Sequence, residues 1–297
     1  MDITVISVNY KTKKLLKHCI ESIKEQTSGV NYEVLVVDNA SNDGSVEMVQ
    51  TNYPDVKVLD CKENIGYGRG NNAGMKLATS SYYFFLNPDT VLMNNALKIL
   101  FDFMERAENR SIAVCGAALF DGTHEPAVSF GKFPTVCSMI FYSLPFSALL
   151  RSKKEGIVPS PQTAPFTVDF ISGADLFVRR EVLERIGGFD EKYFAYYEEV
   201  DLAHRIAQLG YLSVIVPSAG IMHLEGRSFK HASRRKKLMY ESSLHYLSKY
   251  KKKNSLFKLY CLVNEFKYRI YRLLLPASSS SFWSEMISTT KYYRTKI

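Results

Sequence analysis

Apolar residues along the chain follow two alternating rhythms. Ile3–Val8, Val34–Val37 and Val56–Leu59 are short runs rich in β-branched residues, and Tyr82–Leu86 is aromatic and apolar; all four read as strands. Between them apolar positions recur every three or four residues: Leu15, Leu16, Cys19, Ile20 and Ile23, then Val46 and Val49, then Ala73, Leu77 and Ala78. That spacing places each set on one helix face. A helix at Ala96–Met104 and a strand at Ile112–Ala117 extend the series. Alternating strands and helices predict an α/β fold around a doubly wound, mostly parallel central sheet.

The rhythm stops after Asp121. Pro126, Pro134, Pro145, Pro159, Pro161 and Pro165 punctuate the following stretch, so 119–165 is expected to be a mobile insertion. Order resumes with a strand at Phe166–Ile171 and a helix at Arg180–Ile186 closed by Gly187-Gly188. A helix at Glu199–Leu209 closed by Gly210, a strand at Leu212–Val216 and a helix at His231–Tyr250 follow.

Charge divides the chain. The 297 residues carry 38 Lys and Arg against 30 Asp and Glu, a formal net charge of +8. From Gly226 onward there are 17 bases and 3 acids, which leaves 21 bases and 27 acids before it. A basic tail on an acidic body fits an anionic surface as partner. Leu256–Leu275 is apolar but interrupted by Lys258, Glu265, Lys267, Arg269 and Arg272, so it suits a membrane interface rather than a span. Five scattered cysteines without a CxxC argue against a disulfide framework or a zinc site and fit a reducing cytosol.

In parallel α/β sheets, ligands bind at the carboxyl ends of the strands. Here those ends read Asn9-Tyr10, then Asp38-Asn39-Ala40-Ser41, then Asn64-Ile65-Gly66-Tyr67-Gly68-Arg69-Gly70-Asn71-Asn72, then Asn87-Pro88-Asp89-Thr90. Any one of them is ordinary turn chemistry; four on one edge suggest a polar ligand. Asp38 can accept hydrogen bonds from a base or a ribose, and Arg69 can pair with a phosphate. Gly66, Gly68 and Gly70 would let backbone approach a ligand. A GxGxxG dinucleotide site is rejected, because that motif belongs after the first strand, where Asn9-Tyr10-Lys11 stands. Asp89 suits a divalent metal or a helix cap. Glu198, Glu199 and Asp201 form either a charged first helical turn or a set of proton acceptors.

Taken in order, Val5–Lys11, Val36–Ser41, Asn64–Asn71, Leu86–Thr90, Gly187–Glu191, Glu198–Leu202 and His223 resemble the family 2 glycosyltransferases of GT-A fold, in the rhamnosyltransferase-like branch. The resemblance spans about residues 2–250. It implies a catalytic domain at 1–230, with a nucleotide-sugar-binding half at 1–118, the 119–165 insertion and an acceptor half at 166–230; a basic helical region fills 231–297. Asn9, Tyr10 and Asp38 would hold the nucleoside, with Asn64, Gly66, Arg69, Asn71 and Asn87 around base and diphosphate. Asn87-Pro88-Asp89 resembles the family's DxD motif with Asn in the first place. That leaves Asp89, with His223, to ligate Mg2+ or Mn2+. Glu199 falls at the family's catalytic base, with Glu198 or Asp201 as base or orienting group in its stead.

The resemblance implies an inverting enzyme that moves a sugar, rhamnose being one candidate, from a nucleotide-diphosphate-sugar to a glycan hydroxyl in cell-surface polysaccharide synthesis. A lipid-linked acceptor would place it in the cytoplasm, peripheral at the inner face of the plasma membrane. Two rivals remain: a nucleotidyltransferase, and a non-enzymatic basic nucleic-acid-binding protein drawn from the tail. The acidic body speaks against nucleic acid. A helix packed on the catalytic body with a solvated basic face, or a homodimer contact, is the other reading of the tail.

Overall fold

A computed structural model describes residues 1–143, 162–224, 232–250, 254–276 and 279–296. The chain divides into two compact units. The first comprises 1–132 and 156–230, the second 133–155 and 231–297.

The first unit is built on a mixed sheet. β1 (Ile3–Asn9), β2 (Tyr32–Asp38), β3 (Lys57–Asp60) and β4 (Tyr82–Leu86) lie parallel in the order β3-β2-β1-β4. β6 (Ile112–Phe120) and β12 (Leu212–His223) pair in parallel further along. Between the two groups runs β11 (Asp175–Arg179), antiparallel to both β4 and β6. β5 (Thr90–Leu92) closes one edge against the end of β12, and β7 (Pro126–Ala127) and β9 (Phe166–Val168) add short antiparallel partners. β8 (Phe130–Gly131) pairs with β10 (Phe170–Ile171) in a separate ribbon.

Alternation along the strands loads both faces. Ile3, Val5, Val34, Val36, Phe84 and Leu86 face α1 (Lys13–Gln26), α2 (Ser45–Asn52) and α4 (Ala96–Glu105). Ile6, Val37, Tyr83, Phe85 and Leu176 face the other layer, with Val182 and Leu183 of α6 (Arg180–Ile186) and Leu202 and Ile206 of α7 (Glu198–Gln208).

The glycine-rich run after β3 differs from its sequence reading. It forms helix α3 (Tyr67–Met75) rather than a ligand loop. A Cβ at Gly70 would stand 2.9 Å from Val8 Cγ1, and one at Gly74 2.8 Å from Ile6 Cγ2. Gly66 lies at φ +87, where a Cβ would strike the carbonyl of Phe194. These glycines let a helix sit directly on the sheet and on a neighbouring loop, so their absent side chains are accounted for by protein packing.

The insertion expected at 119–165 also differs where it is described. Residues 121–143 carry β7, β8 and α5 (Val136–Ser143); 144–161 lie outside the described residues. Residues 133–155 belong to the second unit, where α5 contacts α9 (Asn254–Leu274). That unit also contains α8 (Ala232–Tyr250) and α10 (Ser280–Thr295). The Tyr240 and Thr290 hydroxyls share a hydrogen bond at 2.8 Å, and Tyr268 stacks on Trp283. Three lysines of the basic tail, at 251–253, lie outside the described residues.

Packing of α3 predicts that Gly74→Ala destabilises the protein by about 1–3 kcal/mol, because the new methyl must push into Ile6. Urea unfolding measures it; a loss under about 0.5 kcal/mol, the range of surface changes, would contradict the packing account.

Candidate active site

The carboxyl edge of the sheet gathers the strand-end residues. Asn9 and Asp38 are register partners on β1 and β2. Asn9 Nδ2 donates to Asp38 Oδ1 at 2.6 Å, and the Ser41 amide donates to Asp38 Oδ2 at 2.8 Å. Thr12 donates in turn to Asn9 Oδ1. Asp38 is therefore buried and bound within the protein before any ligand arrives, and it fixes the turn that runs to Ser41. Asn39 Nδ2 donates to the Gly66 carbonyl, and Asn64 Oδ1 accepts from the Gly66 amide, which ties the start of α3 to β2. Arg69 donates from Nε to the carbonyl of Glu191.

Asp89 and His223 come together from distant parts of the chain. His223 pairs with Thr90 in the β12–β5 register, and its Nε2 lies 3.2 Å from Asp89 Oδ1. The Leu224 amide donates to the Asp89 carbonyl. Asn87 is set by its amide, which donates to the Ala174 carbonyl. Among the described residues no group of three or more His, Cys, Asp and Glu could hold a metal alone. One carboxylate oxygen and one imidazole nitrogen within 3.2 Å do fit a hard divalent cation whose remaining ligands come from phosphate.

The acids of α7 have three different settings. Tyr196 and Tyr197 both adopt positive φ, 69° and 68°, immediately before the helix. Bulky side chains rarely sit there, so this turn is strained and held by its surroundings. Glu198 is buried, and its Oε2 has no hydrogen-bond partner. Burial, with the neighbouring charge of Glu199, pushes its carboxyl well above the usual range. Glu199 keeps part of its surface open. Burial raises its carboxyl to about 7, while backbone amides of Glu199, Val200 and Tyr197 pull the other way. Asp201 is fully buried and engaged by Arg205 Nε at 2.7 Å; Arg205 also donates to the Ile186 carbonyl, so this acid joins α7 to the end of α6.

Two residues given no role by the sequence, Tyr67 and Asp175, stand among these groups. Tyr67 donates from its hydroxyl to the Gly173 carbonyl and lies within electrostatic range of Glu198, Glu199 and Asp175. Asp175 is fully buried; its Oδ2 accepts from the Ala117 amide at 2.6 Å, and its Oδ1 has no partner. Burial raises Asp175 to about 8, with His223 opposing. Asn71, also fully buried, approaches the Tyr67 hydroxyl, yet neither amide atom makes a well-formed hydrogen bond. Buried polar groups are normally satisfied. Unmet demand at Asn71, Asp175 and Glu198, all around Tyr67, marks where a polar ligand would be received. Asn72 instead clamps the loop before α7: Nδ2 donates to the Phe189 carbonyl and Oδ1 accepts from its amide, both at 2.9 Å.

The glycosyl transferase family 2 model matches residues 4–187. The chain belongs to that family. The candidate site residues from Asn9 to Asp175 lie within the matched segment, and the acids of α7 and His223 follow it. An N-acetylglucosaminyl-diphospho-decaprenol L-rhamnosyltransferase of Mycobacterium tuberculosis is 29% identical over 241 residues, covering 75% of this chain and 76% of that protein. Rhamnosyltransferase WbbL of Escherichia coli is 24% identical over 239 residues, covering 76% and 85%. A mannosyltransferase from Pyrobaculum calidifontis, solved with GDP-Man and Mn2+, matches the fold with a TM-score of 0.57 at 16% identity, over 98% of this chain and 84% of that one. The GT-A architecture expected from the sequence is thus the fold of this family 2 glycosyltransferase.

The buried acids give a pH signature. Their folded-state proton affinities exceed those of the unfolded chain, so stability falls as pH rises from the ordinary carboxylate range through about 7. Glu199→Gln removes its share, so the variant should gain on the wild type between about pH 5 and about pH 8 in urea midpoints. An unchanged gap at the two pH values would mean that the pair titrates normally in the fold.

Proposed function

We propose that the protein is an inverting, divalent-metal-dependent glycosyltransferase moving a sugar from a nucleotide-diphosphate-sugar to a hydroxyl of a lipid-linked glycan. The observation that carries this reading is the division of labour among the α7 acids. Asp201 is paired with Arg205, and Glu198 is buried, its carboxyl pushed well above the usual range by burial and the neighbouring Glu199 charge. Glu199, partly open and poised near 7, is the acid able to take a proton. An inverting transfer needs one such base. Glu199 takes the acceptor hydroxyl proton, the oxygen bonds to the anomeric carbon opposite the nucleotide, and the carbon–diphosphate bond breaks with its electron pair on the diphosphate.

Asn9, Tyr10 and Asp38 would line the nucleoside end, supported by their shared strand edge and the prebuilt Asn9–Asp38–Ser41 network. Asn64, Gly66, Arg69, Asn71 and Asn87 would lie toward base and diphosphate. Gly66 and Asn64 act there by holding the start of α3, and the buried, unsatisfied amide of Asn71 is the strongest of the set as a direct contact. Asp89 and His223 would hold Mg2+ or Mn2+, which when bound neutralises charge on the departing diphosphate. Asp175 is within electrostatic range of both Tyr67 and His223, which ties the acid pair to the metal pair. The relatives' names support rhamnose as the sugar and a polyprenyl-diphosphate-linked glycan as the acceptor. Such an acceptor implies work at the inner face of the plasma membrane, with the basic C-terminal unit against anionic lipid. No described helix is long and apolar enough to cross a membrane.

The test is turnover of a nucleotide-sugar panel, dTDP-rhamnose included, by the full chain with Mn2+ and a polyprenyl-diphosphate-linked N-acetylglucosamine acceptor. Release of nucleoside diphosphate with an inverted anomeric centre is expected; release of pyrophosphate would instead reveal a nucleotidyltransferase. Glu199→Gln should bind donor normally and lose about 10²-fold or more in transfer rate. The wild-type rate should rise through about pH 7 as Glu199 loses its proton. Loss of activity in Glu198→Gln alone would move the base by one residue. Asp89→Ala, or chelation of the wild type, should abolish transfer and weaken nucleoside-diphosphate binding, with Mn2+ restoring only the wild type. Full chelator-resistant activity would overturn the metal assignment.

A further inference from the structure

Helix α9 is apolar on two opposite sides. One side holds Phe257, Tyr260, Cys261 and Tyr268, all buried within the C-terminal unit with Asn264 among them. The other holds Leu259, Leu262, Phe266 and Leu273, which are 50%, 48%, 67% and 78% exposed. At 3.6 residues per turn those four fall within about 60° of one another, a continuous stripe along the outer face. A solvent-facing helix surface is normally polar, and scattered single apolar residues need no account. A stripe four side chains long does.

Its borders are basic. Lys258, Arg269 and Arg272 follow one flank, and Lys267 lies on the other, over the rings of Tyr268 and Tyr271. The one acid of the helix, Glu265, is buried and bound by Arg269 at 2.8 Å and by Arg294 of α10 at 3.1 Å. The outer face therefore presents hydrocarbon with positive charge along its edges. An apolar stripe with Lys and Arg at its margins is the pattern of a helix lying in a membrane interface, where the stripe enters the acyl boundary and the long basic side chains reach the headgroups. A second copy of the chain fits less well, because stripe-to-stripe pairing would bring basic flanks together.

We propose that the outer face of α9, through Leu259, Leu262, Phe266 and Leu273, is the surface by which the protein lies on an anionic phospholipid bilayer. This deepens the membrane location proposed above and rests on it: the stripe inserts, and the flanking bases select anionic lipid.

The experiment is sedimentation of the full chain with phosphatidylglycerol–phosphatidylcholine vesicles and with phosphatidylcholine vesicles alone. It compares the wild type with a Leu262→Ser/Phe266→Ser double variant, which leaves charge unchanged. Both substituted positions are exposed, so circular dichroism and urea midpoints should match. The wild type should pellet with anionic vesicles at low salt, at least about tenfold more than with phosphatidylcholine, and the variant should lose at least about tenfold of that partitioning. Equal binding of wild type and variant to anionic vesicles would overturn the assignment of this face while leaving the membrane location standing. Absence of wild-type binding to either vesicle would overturn both, whereas transfer measured in detergent would still report on the chemistry. A wild-type dimer that the double variant converts to monomer, with vesicle binding unchanged, would show that a second copy covers the stripe.

Discussion

Helix α3 can lie against β1 and β2 only because Gly70 and Gly74 carry no side chain where it meets Val8 and Ile6. The depth of that seat propagates outward. It brings the Tyr67 hydroxyl to the Gly173 carbonyl and lets Asn72 bond the Phe189 backbone in both directions. The Tyr67 amide then donates to the Phe194 carbonyl. The loop from Gly187 to Tyr197 is thus pinned along one side by α3, and the first turn of α7 begins where that loop ends. A side chain at either glycine would lift the helix, and each of these bonds would lengthen with it.

The loop delivers the acids to α7 at a cost. Two successive tyrosines in left-handed backbone are worth about 1–3 kcal/mol each in strain. Burying carboxyls adds to it, although the amides of the first helical turn recover part. The return is chemical. In open water a carboxylate is too weak a base to hold a proton near neutrality; burial lifts Glu199 to about 7, the property on which its proposed role as base rests. Glu198, more deeply buried, feels the same effect more strongly, and its carboxyl is pushed well above the usual range. The unmet groups around Tyr67 add to this stored demand.

The C-terminal unit obeys a different rule. Its inner contacts are largely tyrosine, with Tyr240 edge-on to Tyr268 and the Trp283 indole stacked on the same ring. Lys237 bonds Glu285 across α8 and α10, and Arg294 reaches back to Glu265. These contacts satisfy one side of α9, while Leu259, Leu262, Phe266 and Leu273 on its outer side stay exposed.

Much of the fold was legible in the chain. The β-branched runs of β1 and β2, the helical spacing of α1 and α4, and the polar strand ends from Asn9 to Asp89 are all local patterns, and physical constraints on strands and helices act locally. Family resemblance rested on those same segments. Other features had no local signal. β11 reads Asp-Leu-Phe-Val-Arg, whose charged ends hid a central strand; only its neighbours reveal that Asp175 bonds Ala117 and that Arg179 donates to the carbonyls of Ile112 and Met104. The glycines after β3 looked like a ligand loop, because a sequence shows that a side chain is missing but not what occupies its space. Of three acids in four residues, the family resemblance favoured Glu199 but left Glu198 and Asp201 as alternatives. The sequence by itself determined the strand–helix order, the chemistry at each strand end and the split between acidic body and basic tail. Only the tertiary structure decided which acid is salt-bridged, which is buried with an unpartnered oxygen and which stays partly open, because burial and neighbouring charge come from residues far away in the chain.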